Sequence, residues 1–200
     1  MGVRYRSLAK SLLPRPVVDR IRRLEHANRF RILDDLDDNA AIFSAVYQHG
    51  MWGGGRGVFY SGHGSHDDAV VGPYVDVVSA FLTPLPAKPS VVDLGCGDFA
   101  VGSKLRDFCA GYIVCDVVPE LVERNQAAFG GDFRCLDIAR DDLPAGDVVF
   151  LREVLQHLDN ESIKIVVDRL ASYRWAVITE LVPTGRSCRT STSRPGSTCE

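Results

Sequence analysis

The chain has 200 residues, 46% of them hydrophobic and 24% charged, with a formal net charge of −3. That is enough for one ordinary domain with a real core. No apolar run is long enough to span a bilayer, and the basic first residues lack the sustained apolar stretch of a secretory signal. The six cysteines stand at irregular spacings with no Cys-x-x-Cys, which implies neither a zinc site nor a disulfide framework. A soluble cytoplasmic protein is the simplest expectation.

Arg4, Arg6, Lys10, Arg15, Arg20, Arg22, Arg23, Arg29 and Arg31 crowd the start against only Asp19 and Glu25. Such a run suits an anionic partner or, more simply, a solvated helix face. Val17, Ile21 and Leu24 recur at helical spacing behind Pro16, as in an amphipathic helix packed on the main domain. After an acidic break, Ala40 to Tyr47 reads as helix again. From His49 to His66 the chain runs HGMWGGGRGVFYSGHGSH, too glycine-rich for a regular helix. Linkers seldom carry Trp52, Phe59 and Tyr60, so this segment is expected to be a mobile lid, with Trp52 and Tyr60 as candidate substrate contacts. His63 and His66, as lone histidines in a glycine loop, are expected to be neither ligands nor a base. Asp67 or Asp68 can cap a helix whose apolar face is Val70, Val71, Tyr74, Val77, Val78, Phe81 and Leu82. Pro73 either starts or kinks it. Thr83 to Pro89 is a proline-rich joint. Residues 1–89 are therefore expected to form a helical extension, 90–181 an α/β core and 182–200 an irregular tail.

Ser90 to Gly102 reads SVVDLGCGDFAVG. Val91, Val92 and Leu94 suit a buried parallel strand, Gly95 and Gly97 a tight turn, and Ala100 to about Cys109 a helix. Strand, glycine turn and helix together cradle a nucleotide-type cofactor at the carboxyl end of an open sheet. The spacing Gly95-x-Gly97-x-x-Ala100 alone is shared with dinucleotide enzymes. Asp93 at the mouth of the turn would repel a pyrophosphate, but it suits a ligand carrying an ammonium and a sulfonium. Tyr112 to Asp116 reads as a second strand, its carboxylate about twenty residues beyond the glycines, where it can accept ribose hydroxyls. Pro119 opens a helix closed by Gly130-Gly131. Phe133 to Ile138, containing Asp137, reads as a third strand and Gly146 to Leu151 as a fourth. Asp159 caps a helix bearing Ile163, Val166, Val167 and Leu170, and Trp175 to Glu180 reads as a fifth strand.

Between about Ser90 and Leu181 the sequence resembles the class I S-adenosylmethionine-dependent methyltransferases, whose first motif is an acidic residue followed by Gly-x-Gly. The resemblance implies an α/β, Rossmann-like open sheet, mostly parallel, with helices on both faces. It implies S-adenosyl-L-methionine as cofactor, with Asp93, Gly95, Cys96 and Gly97 at the methionine end, Asp116 and Val117 at the ribose, and Asp137 with Ile138 at the adenine. The segment from Arg152 to Leu158 would face the acceptor, making Arg152 and Glu153 candidate substrate contacts and His157 a candidate base. No Asn-Pro-Pro-Tyr follows the fourth strand, which favours a small-molecule acceptor over nucleic acid. Two alternatives stay open: an NAD-dependent oxidoreductase, and a non-catalytic cofactor-binding module of the same fold.

The family's sheet ends in an antiparallel hairpin that the polar tail PTGRSCRTSTSRPGSTCE could not supply, leaving the fifth strand's neighbourhood partly open. If guanine- and cytosine-rich codons are assumed, a slip of the reading frame converts Ser187 to Glu200 into VPNLDKPAGVDVR, an ordinary continuation. The tail is thus a candidate out-of-frame translation. Sequencing the gene region tests this; an in-frame stop with no coding potential beyond it overturns the idea.

Overall fold

The apolar runs around Val91-Val92 and Val148-Val149 become the two central strands of one parallel sheet. In the computed structural model, which describes residues 31–33 and 35–181, five strands are present: β1 (Ser90–Leu94), β2 (Gly111–Asp116), β3 (Asp132–Cys135), β4 (Val148–Arg152) and β5 (Trp175–Thr179). All neighbours pair in parallel, in the order β3-β2-β1-β4-β5. Val92 lies opposite both Ile113 and Val149, and Asp93 opposite both Val114 and Phe150. β1 and β4 are covered on both faces, which is why they read as near-continuous apolar runs rather than as alternating ones, broken in β1 by Asp93. The strand order reverses between β1 and β4, and in such sheets a crevice opens beyond the carboxyl ends at that point.

The described helices are α1 (Asn39–Gln48), α2 (Asp68–Leu82), α3 (Pro119–Phe129) and α4 (Asn160–Leu170). Val166 and Leu170 of α4 cover the face carrying Val92, Leu94, Val149 and Leu151. Val78 and Leu82 of α2 cover the opposite face with Val91, Val148 and Phe150. Phe43 and Tyr47 of α1 pack on Val118 and Leu121, where α3 begins. This is a Rossmann-like α/β fold with helices on both faces. One compact unit begins at Asp37, so α1 and α2 belong with the sheet; the other, Met1–Leu36, contains a 3-10 turn at Arg31–Leu33. The expected helix around Val17, Ile21 and Leu24, and the tail from residue 182 onward, lie outside the described residues. No helix among the described residues is long and apolar enough to cross a membrane.

Several elements depart from the sequence reading. The helix expected from Ala100 to Cys109 is instead a pair of 3-10 turns, Gly102–Lys104 and Arg106–Phe108. Phe99 stands immediately before it: its φ is 62°, in the left-handed region, and its ring is fully buried edge-on to Tyr112, Phe129 and Phe133. Gly102 then passes so close that a Cβ would stand 2.5 Å from both an Asp93 oxygen and the Phe99 ring. Packing of one aromatic ring overrides helical propensity here. Phe99→Gly should relieve about 1 kcal/mol of backbone strain but empty a ring-sized site worth about 3–5 kcal/mol. A clear net loss in urea midpoint is expected.

In α2, Asp67 is the cap, accepting the Ala69 N–H. Pro73 lies inside the helix rather than at its start. Val77, expected on the apolar face, is 70% exposed, while Val71, Val78 and Leu82 are buried. β3 stops at Cys135, so Asp137 and Ile138 sit in the turn beyond it. β4 starts later than expected and ends on Arg152, followed by Glu153 at a φ of 55°. β5 is an edge strand among the described residues, with Trp175 and Ile178 each 42% exposed.

Candidate functional site

The carboxyl ends of β1, β2 and β4 open into a cavity of about 390 Å³. Its wall includes Asp93 from β1, Asp116 from β2, Asp137 with Ile138 from the turn after β3, and Arg152 with Glu153 from the end of β4. The carboxylates singled out in the sequence are thus gathered in one place by parallel strands that all end on the same side.

The glycine turn supplies the floor. Gly95 and Cys96 both donate their N–H groups to the Cys115 carbonyl, at 2.9 and 3.0 Å, which locks the turn onto β2. Gly95 and Gly97 have φ values of 75° and 57°, where a Cβ is disfavoured. Space forbids a Cβ as well. At Gly95 it would stand 2.5 Å from Val154 Cγ2, and at Gly97 it would collide with Ser61 Oγ. The sequence explanation for these glycines was close approach of a ligand; in the structure the protein's own side chains also occupy that room.

Asp116 is buried and holds the turn: its Oδ2 accepts from Gly97 N–H at 2.9 Å and its Oδ1 from Val118 N–H at 3.1 Å. Burial pushes its pKa up to about 6 against the pull of those backbone bonds. Asp93 is buried as well. Burial raises its pKa to about 7, although Tyr112 donates its hydroxyl to Oδ2 at 3.0 Å and Arg152 lies near. Asp137 is held by its own turn, Oδ1 accepting from Ala139 N–H at 2.9 Å, while Oδ2 accepts from Asn39 Nδ2 at 2.8 Å. Cys96, half-buried, lines the floor, its thiol pKa raised by desolvation, and Val117 lines it beside Asp116.

The glycine-aromatic segment is not a loose flap in this state. Ser61 N–H donates to Asp98 Oδ2 at 3.0 Å, and Asp98 N–H donates back to Ser61 Oγ at 2.7 Å. His66 Nε2 stands 2.6 Å from the same Asp98 oxygen, with the Tyr60 ring stacked on it at 4.4 Å. Tyr47 from α1 completes the knot, its hydroxyl 3.1 Å from Ser61 Oγ. His66 therefore has a structural partner in Asp98. Tyr60 serves this knot and does not line the cavity, whereas Trp52 does.

Trp52 packs on Phe43, on Tyr47 and, at 5.0 Å, on His157. That aromatic wall buries His157, lowers its pKa to about 4 by desolvation, and leaves its Nδ1 buried with no partner among the described residues. At the other end Arg152 donates to the Gly64 carbonyl at 2.6 Å and to Ser65 Oγ at 3.2 Å, and pairs with Glu153 at 3.3 Å. Sequence reasoning missed Asn39, Ser61, Asp98 and Asn125. Asn125, fully buried on α3, donates to the Gly97 carbonyl at 2.8 Å. The one signal for Asp98 was its place directly after Gly97; the others are ordinary polar residues whose partners lie far along the chain. Replacing Asn39 by Ala should cost about 1 kcal/mol through loss of the Asp137 bond, read as a urea midpoint shift. No cluster able to hold a metal ion exists among the described residues.

No family model and no curated protein matches the chain. Among solved structures it is similar to the N-methyltransferase NodS from Bradyrhizobium japonicum WM9 in complex with S-adenosyl-L-homocysteine, at 20% identity and a TM-score of 0.45. That match covers 54% of this chain and 59% of NodS, so the chain spans less than two thirds of NodS. It is also similar to magnesium protoporphyrin IX methyltransferase ChlM from Synechocystis PCC 6803 with bound S-adenosylmethionine, at 24% identity and a TM-score of 0.49, covering 70% of this chain and 73% of ChlM. A further similar structure is CalS10, an amino pentose methyltransferase from Micromonospora echinaspora, at 16% identity and a TM-score of 0.46, covering 52% of this chain and 46% of CalS10.

Proposed function

We propose that this chain is an S-adenosylmethionine-dependent methyltransferase acting on a small-molecule acceptor. The observation that carries the reading is the convergence of Asp93, Asp116 and Asp137 on one cavity at the point where the strand order reverses. Two of these are buried carboxylates whose ionised forms are disfavoured, at pKa values of about 7 and 6. A cationic donor would relieve that desolvation, whereas a dinucleotide pyrophosphate would aggravate it. The Nδ1 of His157 in the same wall, buried and without a partner among the described residues, is open to a hydrogen bond from a polar ligand.

In this reading Asp93, Gly95, Cys96 and Gly97 hold the methionine end, Asp116 and Val117 the ribose, and Asp137 with Ile138 the adenine. The donor, when bound, supplies a methyl group already activated on a sulfonium sulfur. The protein's share is placement: the aromatic wall of Phe43, Trp52 and His157 excludes water, and Arg152 and Glu153 border the remaining space. His157 is neutral at pH 7. It can accept one hydrogen bond from an acceptor, but at a pKa of about 4 it is a weak proton sink. That favours acceptors able to attack without prior deprotonation.

Isothermal titration with S-adenosylhomocysteine and with NAD tests the proposal. Binding of the first and not the second is expected. Binding of NAD alone, or of neither, overturns it. Binding of S-adenosylhomocysteine without methyl consumption across varied acceptors would favour a non-catalytic module.

A further inference from the structure

The turn from Glu153 to His157 carries one ring of the aromatic wall, and what fixes that turn comes from β5. Arg152 lies opposite Thr179 in the parallel register, and the Glu153 N–H donates to the Thr179 carbonyl at 2.7 Å. Glu180, the next residue, takes the following three backbone donors on its carboxylate. Its Oε1 accepts from Val154 N–H at 3.1 Å and from Leu155 N–H at 2.9 Å, its Oε2 from Gln156 N–H at 3.4 Å. These donors open the 3-10 turn Leu155–His157, and the first N–H groups of a helical turn find no partner within it. A carboxylate is the strongest acceptor that a side chain can offer them. Thr179 and Glu180 together satisfy four consecutive nitrogens. That explains how Glu153 keeps a φ of 55°, a strained conformation that persists only where its surroundings over-determine it.

Glu180 itself is half-buried and lies outside the cavity lining, whereas the residues it holds form part of that lining. The Val154 side chain packs over Gly95, and His157 packs on Trp52 and Phe43 with ring centroids at 5.0 and 6.2 Å. Resting on the donor reading above, which makes this wall face the acceptor, we propose that Glu180 is a positioning residue: its carboxylate sets the Glu153–His157 turn and so places the His157 ring against Trp52 and Phe43. It touches neither donor nor acceptor and acts only through the turn. Reach matters here more than charge. The two shorter bonds end on one oxygen, Oε1, which a glutamine amide also offers. An aspartate, one methylene shorter, cannot bring an oxygen to the same nitrogens.

The placement of His157 is read in the free protein from its ring signal in proton–carbon NMR, with His157→Asn assigning that signal. Burial alone holds the ring's pKa down at about 4, so a ring that leaves the wall becomes easier to protonate. At about pH 5 the ring should be roughly one-tenth charged in the unaltered protein. In Glu180→Ala and Glu180→Asp its pKa should rise by about one unit or more towards the ordinary value of about 6.5, leaving it half charged or more. In Glu180→Gln it should stay within about half a unit of the unaltered protein. A carboxylate that serves stability alone would lower the thermal melt of the Ala variant and leave the His157 signal unmoved; that result overturns the proposal. A Gln variant displaced as far as the Ala variant overturns it as well, and so does a ring already half charged at that pH in the unaltered protein. Should the Ala variant fail to fold, as judged by the melt, the Asp variant decides: a His157 signal like that of the unaltered protein rejects the assignment. Titration with S-adenosylhomocysteine is read separately. If the unaltered protein binds none of it, the donor reading falls, while the His157 signal still judges the role of Glu180.

Discussion

Replacing Asp93 by Asn is expected to cut affinity for S-adenosylhomocysteine by about a hundredfold while stabilising the free protein at pH 8 by about 1–3 kcal/mol. The two effects share one cause. Asp93 is 8% exposed and takes one hydroxyl hydrogen bond, from Tyr112, so its ionised form is poorly solvated and its pKa rises to about 7 from 3.8. Between those two values the folded state holds a proton that the unfolded state has released. Stability from this group is therefore highest at low pH and declines as pH rises through the window from about 4 to 7. The Asn variant lacks that slope. Ligand binding runs the other way: an ammonium is held by the carboxylate only when it is ionised. Affinity for S-adenosylhomocysteine in the unaltered protein should thus fall as pH drops below about 7, and the variant's affinity should be flat there. Thermal melts and titrations across pH 5 to 8.5 check both halves. A variant less stable at pH 8, with affinity intact, would remove Asp93 from the site and with it the main argument for a cationic donor.

The parallel sheet was legible because its central strands must be apolar on both faces, and Val91-Val92 and Val148 to Leu151 announce that directly. The carboxylates were legible for a related reason. Asp93, Asp116 and Asp137 each stand within or just past such a run, where a charge is out of place unless it serves something. What could not be read was what a buried ring or a distant hydroxyl imposes. Nothing in the sequence marks Phe99, just ahead of the expected helix, as left-handed, yet its ring fills the space between Tyr112, Phe129 and Phe133 at a φ of 62°, and 3-10 turns follow it. Ser61 and Asp98 are 37 positions apart and carry no periodicity, so their reciprocal pair was invisible. Asn39 and Asp137 are farther apart still, at 98 positions. Glycine density suggested motion from His49 to His66. The structure ties that segment down at its far end, through the one carboxylate next to Gly97 that the motif did not explain.

That tie leads to the second large effect. Gly97→Ala should destabilise the protein by about 2 kcal/mol or more, because a left-handed alanine is strained, and should also detach the glycine-aromatic segment. The added methyl group would meet Ser61 Oγ, the atom that bonds Asp98 N–H and Tyr47, so the turn and the segment cannot both keep their places. Limited trypsin digestion reads the detachment at Arg56, which lies in the exposed part of the segment. Cleavage there should accelerate by about tenfold, since cutting tracks the population of the released form. Ser61→Gly in the same chain removes the clash but also the two hydroxyl hydrogen bonds. The double variant should therefore recover little of the protection and none of the strain at residue 97. The pair also separates two explanations of the glycine. If Gly97 were needed only for its backbone conformation and to admit a ligand, Gly97→Ala would lower the melt and the affinity for S-adenosylhomocysteine but leave the Arg56 cleavage rate of the free protein unmoved. Moved melt and moved cleavage without any ligand present are the expected outcome, because here the glycine first makes room for the protein's own Ser61.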